Sequence, residues 1–131
     1  MLIGYARTST TEQVAGLEAQ RRELRAIGCE EVWEEQVSSV ERRRALDDAL
    51  RFVRKGDTLV VTKLDRLARS VPDLVRIIGQ LEEKGATLRI LAMNIDTGIP
   101  TGRLMLNLIG AISQFEREIM LERQREGIAK A

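Results

Sequence analysis

Five serines, one tyrosine, one cysteine and no histidine make up the nucleophile inventory of this chain. Without histidine, neither a Ser-His-Asp nor a Cys-His pair can form, and the imidazole ligands of most transition-metal sites are missing. A hydroxyl nucleophile would need another partner, and the chain is rich in one: 17 of its 21 basic side chains are arginine. A guanidinium is planar, permanently charged and forked, matching the oxygens of a phosphate. The same excess is compatible with GC-rich coding, so position has to decide.

Ser9 follows the apolar run Leu2–Arg7, one residue beyond its end, and open α/β sheets place their active sites beyond the ends of such strands. Arg7 lies two residues earlier, on the same side of an alternating strand. A helix beginning just after Ser9 would add backbone N–H groups suited to a phosphate. Ser9-Thr10-Thr11-Glu12 also reads as a helix capping box, so Ser9 is either a cap or a nucleophile on this evidence alone. A second cluster, Lys63-Leu64-Asp65-Arg66-Leu67-Ala68-Arg69, follows another strand. Arg66 and Arg69 are three apart, which one helical turn would bring onto one face beside Asp65. The alternatives there are an anion site with its own orienting carboxylate and a solvated charge run. Arg42, Arg43 and Arg44 form a triplet from which one arginine could reach the same edge.

These residues need a scaffold, and the hydrophobic pattern supplies one. Leu2–Arg7, Glu31–Gln36, Asp57–Lys63 and Thr87–Met93 read as strands. Helical spacing appears at Val14, Leu17, Gln20, Leu24 and Ile27, at Leu46, Ala49, Leu50 and Val53, and at Leu74, Ile77, Ile78 and Leu81. Gly28, Gly56 and Gly85 close those helices, and Pro72 opens the third. Alternating strands and helices predict an α/β domain, with a mainly parallel four- to five-stranded sheet flanked by helices over residues 1–100.

Residues 101–131 differ. They contain no proline, and a helix of that length would run about 45 Å, far beyond the roughly 13 Å radius of gyration of a small domain. Leu104, Met105, Leu106, Leu108, Ile109, Ala111 and Ile112 make its first half apolar on nearly every side, and the second half is charged. Either this is a buried core helix or it is a long C-terminal helix for dimerisation with a charged extension.

Length and charge bound the rest. The chain has 131 residues, 44% hydrophobic and 31% charged, enough for one packed domain, and a net charge of +1 creates no global field. A lone Cys29 fits a reducing compartment, and no apolar run approaches a membrane span, so the expectation is a soluble, cytoplasmic protein without a membrane partner.

Taken together, the motifs resemble the catalytic domain of the serine recombinases, the resolvase/invertase group of site-specific DNA recombinases. The resemblance runs from the first strand to the chain end. It rests on Tyr5-Ala6-Arg7-Thr8-Ser9 with Gln13, on Arg43 three before Leu46, and above all on Lys63 to Arg69. Ile95-Asp96-Thr97, Pro100-Thr101-Gly102-Arg103-Leu104, Phe115-Glu116-Arg117 and Glu122-Arg123 continue it.

The resemblance implies that Ser9 attacks a scissile phosphate of double-stranded DNA, releasing a 3′-hydroxyl and forming a 5′-phosphoserine link. Arg7, Arg43, Arg66 and Arg69 would stabilise charge on the phosphate, and Asp65 would orient them or assist proton transfer. Gln13 and Lys63 would support the site. Glu116, Arg117, Glu122 and Arg123 would link the long helix to the site, the DNA or a partner subunit. Because transesterification conserves bond energy and guanidiniums can replace metal ions, neither a cofactor nor a metal is called for.

The resemblance also implies a homodimer and a synaptic homotetramer built through 101–131. It further implies a helix-turn-helix DNA-binding domain beyond that helix, and action on nucleoid DNA in a prokaryote. Arg44 stands where the family often has proline. A non-catalytic dimerisation or regulatory module is the competing reading. A tyrosine-type recombinase is disfavoured because the only tyrosine, Tyr5, lies inside a strand, and a small-molecule phosphate binder because no glycine-rich cradle is present.

Overall fold

The computed structural model describes residues 1–9, 14–38 and 42–130; the side chains at 101, 112–116, 123 and 125–130 lie outside that description. Five strands form one sheet: β1 (Leu2–Thr8), β2 (Glu31–Gln36), β3 (Thr58–Val61), β4 (Thr87–Ile90) and β5 (Ile95–Asp96). Their spatial order is β2-β1-β3-β4-β5, the first four parallel and β5 antiparallel to β4. Parallel neighbours require crossovers, and helices α1 (Val14–Ala26), α2 (Arg44–Phe52) and α3 (Val71–Glu83) provide them. The expected α/β architecture with a mainly parallel sheet is the one found.

Alternation along β1 distributes the core. Ile3 and Tyr5 enter a large cluster with Leu46, Leu50, Leu74, Ile77 and Leu81 of α2 and α3, whereas Ala6 joins a smaller one with Leu24 of α1. Thus α1 covers one face, and α2 and α3 cover the other. β1 is the central strand, buried on both faces from Ile3 onward. The chain steps outward from β1 to β2 and then back across β1 to β3, so the strand order reverses at β1. In open α/β sheets that reversal opens a crevice at the carboxyl ends of the strands. Ser9 leaves β1 at that edge.

Two strands are shorter than the hydrophobic pattern predicts. β3 ends at Val61 because Lys63 opens a 3₁₀ turn, Leu64–Arg66. β4 ends at Ile90 because the chain reverses through Asn94, whose φ of 51° suits asparagine, and returns as the short β5. That return strand carries too few residues for a period to register.

Both ends of α2 are satisfied by side chains from elsewhere. Glu35 of β2 accepts the N–H groups of Ala45 (3.1 Å) and Leu46 (3.0 Å), and the Lys84 ammonium donates to the carbonyls of Leu50, Arg51 and Val53. Glu35 also accepts the Tyr5 hydroxyl at 2.6 Å, so β1, β2 and α2 meet at one carboxylate. Helix α3 is capped by Ser70, whose hydroxyl accepts the Asp73 N–H at 3.2 Å.

Helix α4 (Pro100–Lys130) starts against β5. A Cβ on Gly102 would stand 2.2 Å from the Asp96 carbonyl oxygen, so only glycine lets the helix seat this closely. Leu106 is buried and Ile109 packs beside it, and Arg103 pairs with Glu82 of α3 at 2.8 Å. Leu104, Met105, Leu108, Met120 and Leu121 point to solvent, each about half exposed or more. In this chain, therefore, α4 is not a fully buried core helix.

Candidate active site

Arg7 is the last but one residue of β1, and its side chain is almost wholly buried on the α2–α3 side of the sheet. Its guanidinium reaches across the crevice to the 3₁₀ turn, donating from Nη2 to the Asp65 carbonyl (2.7 Å) and from Nε to the Arg66 carbonyl (3.4 Å). Nη1 donates to the Val37 carbonyl at 3.3 Å, tying in the segment after β2. The Arg7 main chain is fixed as well. Gln20 of α1, buried at a position where the helical pattern is otherwise apolar, accepts the Arg7 N–H (3.2 Å) and donates to its carbonyl (3.0 Å). Buried polar groups of this kind are costly unless paired, and here all four are paired.

Arg43 immediately precedes α2 and is only 3% exposed, whereas Arg42 and Arg44 face solvent. Of the triplet, then, Arg43 is the one that enters the interior. Nη1 donates to the Leu67 carbonyl, and Nη2 bridges both oxygens of Asp73, at 2.9 and 2.8 Å. Among the described residues its buried Nε has no acceptor. Burial pushes the Asp73 carboxyl up, but hydrogen bonds from Arg43, the Arg69 N–H and Arg76 outweigh it and hold the pKa at about 2. Asp73 is thus a carboxylate at any ordinary pH.

Residues 63–69 do not form the single helical turn expected of them. The carbonyls of Asp65, Arg66 and Leu67 accept from Arg7 and Arg43, so they are diverted from the next turn of a helix. The 3₁₀ turn stops at Arg66, and Arg69 sits in the bend before α3. The two arginines consequently open onto different hollows. Arg66 and Lys63 line a polar cleft of about 250 Å³ with Gln20 and Glu23 of α1. Asp65 and Arg69 border an apolar hollow of about 350 Å³ that Leu74 and Ile109 help to line. Arg7 is held by the Asp65 carbonyl, while the Asp65 side chain is exposed.

Ser9 is half-buried at the mouth of this assembly, and its carbonyl accepts from Gln36 Nε2 at 3.2 Å. Gln13 and the expected Ser9–Glu12 capping box lie outside the described residues, as do the side chains of Glu116 and Arg123. Arg117 and Glu122 are exposed on α4. Tyr5 is fully buried, and burial together with its bond to Glu35 pushes its pKa well up, which removes it as a nucleophile. Among the described residues, no cluster of potential metal ligands occurs and no helix is long and apolar enough to cross a membrane.

Asp73 and Glu35 are not among the site residues expected from the sequence. Asp73 carried a signal: Ser70-Val71-Pro72-Asp73 is itself a capping box with proline in the first turn. Glu35 carried none, since an acidic residue in a weak strand reads as solvated.

Residues 2–131 match the family described as Resolvase, N terminal domain. The chain belongs to this family. This resolvase-family domain is 45% identical over 132 residues to serine recombinase gin of Escherichia phage Mu, a match covering 100% of this chain and 67% of that protein. It is 44% identical over 132 residues to a DNA-invertase of Enterobacteria phage P7, covering 100% of this chain and 70% of the relative. The domain therefore spans about two thirds of the length of these relatives. Among solved structures, the N-terminal catalytic domain of TP901-1 integrase superposes with a TM-score of 0.73 at 28% identity, over 91% of this chain and 98% of that one.

Proposed function

We propose that this domain is the catalytic part of a site-specific DNA recombinase, in which Ser9 attacks a DNA phosphate and arginines stabilise the charge that develops there. Family membership and whole-chain similarity to a serine recombinase and a DNA-invertase support the recombinase activity. The observation that carries the site is the convergence at the sheet edge. The Arg7 guanidinium, two residues before Ser9, bonds the main chain of Asp65 and Arg66 across the crevice.

In the proposed reaction, the Ser9 hydroxyl oxygen bonds to phosphorus, and the bond to the 3′ oxygen breaks. The Ser9 proton leaves, a 3′-hydroxyl departs, and the 5′ end remains on the protein as a phosphoserine diester. Rejoining is the reverse attack by a 3′-hydroxyl, so the bond energy is conserved. Arg7 has three of its five N–H groups on main-chain carbonyls, which fixes its plane. In this reading Arg43, Arg66 and Arg69 supply further positive charge, Arg66 and Arg69 from different hollows. A donor brought to the developing charge is worth about 3 kcal/mol at the transition state. Asp65, whose side chain is exposed, would receive or return a proton. Gln13 and Lys63 act as supporting polar groups.

Residues 1–100 form the catalytic core in this reading, and 101–131 the helix through which copies pair, first as dimers and then as a synaptic tetramer. Leu104, Met105 and Leu108, exposed on α4, support such pairing. Arg117, Arg123, Glu116 and Glu122 would then face DNA or the partner, and the place of action would be nucleoid DNA in the cytoplasm.

The test is a suicide duplex carrying the recombination site, nicked so that the cleaved strand cannot religate. The wild type should accumulate a covalent protein–DNA adduct, and Ser9→Ala should form none while keeping wild-type circular dichroism. An adduct persisting in Ser9→Ala would overturn the assignment.

A further inference from the structure

We infer that Asp73 is a positioning residue for the strand-transfer reaction, holding Arg43 at the phosphate site; the inference rests on the reading of Arg43 as a phosphate-site cation. Arg43 is buried and charged, and a buried cation is tolerated only with a partner. Among the described residues, Asp73 is the carboxylate that pairs with it. Asp73 is only 12% exposed and is itself fixed from several sides. It accepts from Arg43 Nη2, the Arg69 N–H and Arg76 Nη2, and its own N–H is donated to Ser70.

This geometry ties together two segments far apart in sequence. Arg43 comes from the stretch before α2, and Arg69 from the bend before α3. Both converge on one carboxylate at the first turn of α3. Asp73 takes Arg43 through Nη2 with both of its oxygens and the Leu67 carbonyl takes Nη1, so the guanidinium is fixed at two nitrogens. Among the described residues its buried Nε has no acceptor. The orientation of the guanidinium is therefore set by the Asp73 carboxylate together with the Leu67 carbonyl.

The substitution that isolates this role is Asp73→Asn. It keeps an oxygen to cap the Arg69 N–H but replaces the charge facing Arg43 with a neutral amide. In single-turnover cleavage of the suicide duplex by the full-length protein, adduct formation should slow about a hundredfold, the cost of misplacing a catalytic group by roughly 1 Å. Affinity for the duplex, set by the many phosphate contacts of the whole protein, should change by less than about threefold. Asp73→Glu restores the charge one methylene further out, and its rate should lie about tenfold below wild type and well above Asp73→Asn.

The inference is overturned if Asp73→Asn cleaves at the wild-type rate, or loses affinity in step with rate, or is no slower than Asp73→Glu. Should Asp73→Asn not fold, Asp73→Glu carries the test alone: a wild-type rate would refute the positioning role. Ser9→Ala in the same assay separates the two readings. An adduct without Ser9 sinks the proposed function, whereas a Ser9-dependent adduct insensitive to Asp73 sinks only this inference.

Discussion

Replacing Glu35 with alanine should destabilise the domain far more than a half-exposed acidic residue in an edge strand suggests. The carboxylate caps α2 through the N–H groups of Ala45 and Leu46 and accepts the hydroxyl of Tyr5, which is fully buried. Loss of a helix cap costs about 1 kcal/mol. A buried hydroxyl left without its acceptor costs about 1–3 kcal/mol more. The expected total is about 3 kcal/mol, or a fall in Tm of about 10 °C for a domain of this size. Urea unfolding followed by Trp33 fluorescence is a suitable assay, because the only tryptophan lies on the same strand and packs on Phe52 of α2. A double-mutant cycle with Tyr5→Phe locates the effect. In the phenylalanine background, Glu35→Ala should cost only the capping contribution, giving a coupling of at least about 1 kcal/mol. A Glu35→Ala variant within about 0.5 kcal/mol of wild type, or an additive cycle, would refute the reasoning.

Three further outcomes follow from other contacts. Gly102→Ala must push α4 off β5, since its Cβ would meet the Asp96 carbonyl oxygen at 2.2 Å; a loss of about 1–3 kcal/mol in thermal unfolding is expected, and an unchanged Tm would contradict the seating. Lys84→Met removes the ammonium that closes three carbonyls at the end of α2, and should cost about 1 kcal/mol, measured as a lower urea midpoint at unchanged slope. Asp73 has its pKa lowered from 3.8 to about 2 in the folded state, so its contribution is complete above pH 4 and fades as the pH falls towards 2. That amounts to about 2 kcal/mol by linkage, and Asp73→Asn should flatten stability against pH in this window; parallel curves for the two proteins would contradict it.

Much of this architecture was legible in the residues, for identifiable reasons. β1 and β2 appear where the pattern places them because a central strand and its neighbour carry long runs of apolar or β-prone residues. Helices α1, α2 and α3 announce themselves through a 3.6-residue period. Gly28 and Gly85, both with positive φ, follow the ends of α1 and α3. Helix α2 instead ends at Phe52, before the Gly56 expected to close it, and Gly56 turns the chain into β3. The turn at 64–66 was misread because its geometry is dictated by two arginines from 24 and 59 residues away, which no local spacing reveals. The same holds for Glu35, and for the pairing of Asp73 with Arg43, since the local capping pattern around Asp73 says nothing of that tertiary contact. Gln20 shows the converse: it occupies an apolar position in the helical pattern because it is buried, and it is polar because the Arg7 backbone needs it. Among Arg42, Arg43 and Arg44, spacing to Leu46 favoured the middle residue, and burial singles it out.

The central claim is that DNA is carried on Ser9 through its 5′ end, and the chemistry of the trapped adduct tests it most directly. Trypsin should release Ser9 in the peptide 8–21, between Arg7 and Arg21, and Tyr5 in the peptide 1–7. Mass spectrometry of an adduct from an end-labelled suicide duplex should find the nucleotide on the 8–21 peptide, fragment it to Ser9, and leave a free 3′-hydroxyl on the released strand. Attachment at Tyr5, at another hydroxyl, or through a 3′-phosphate would contradict the account.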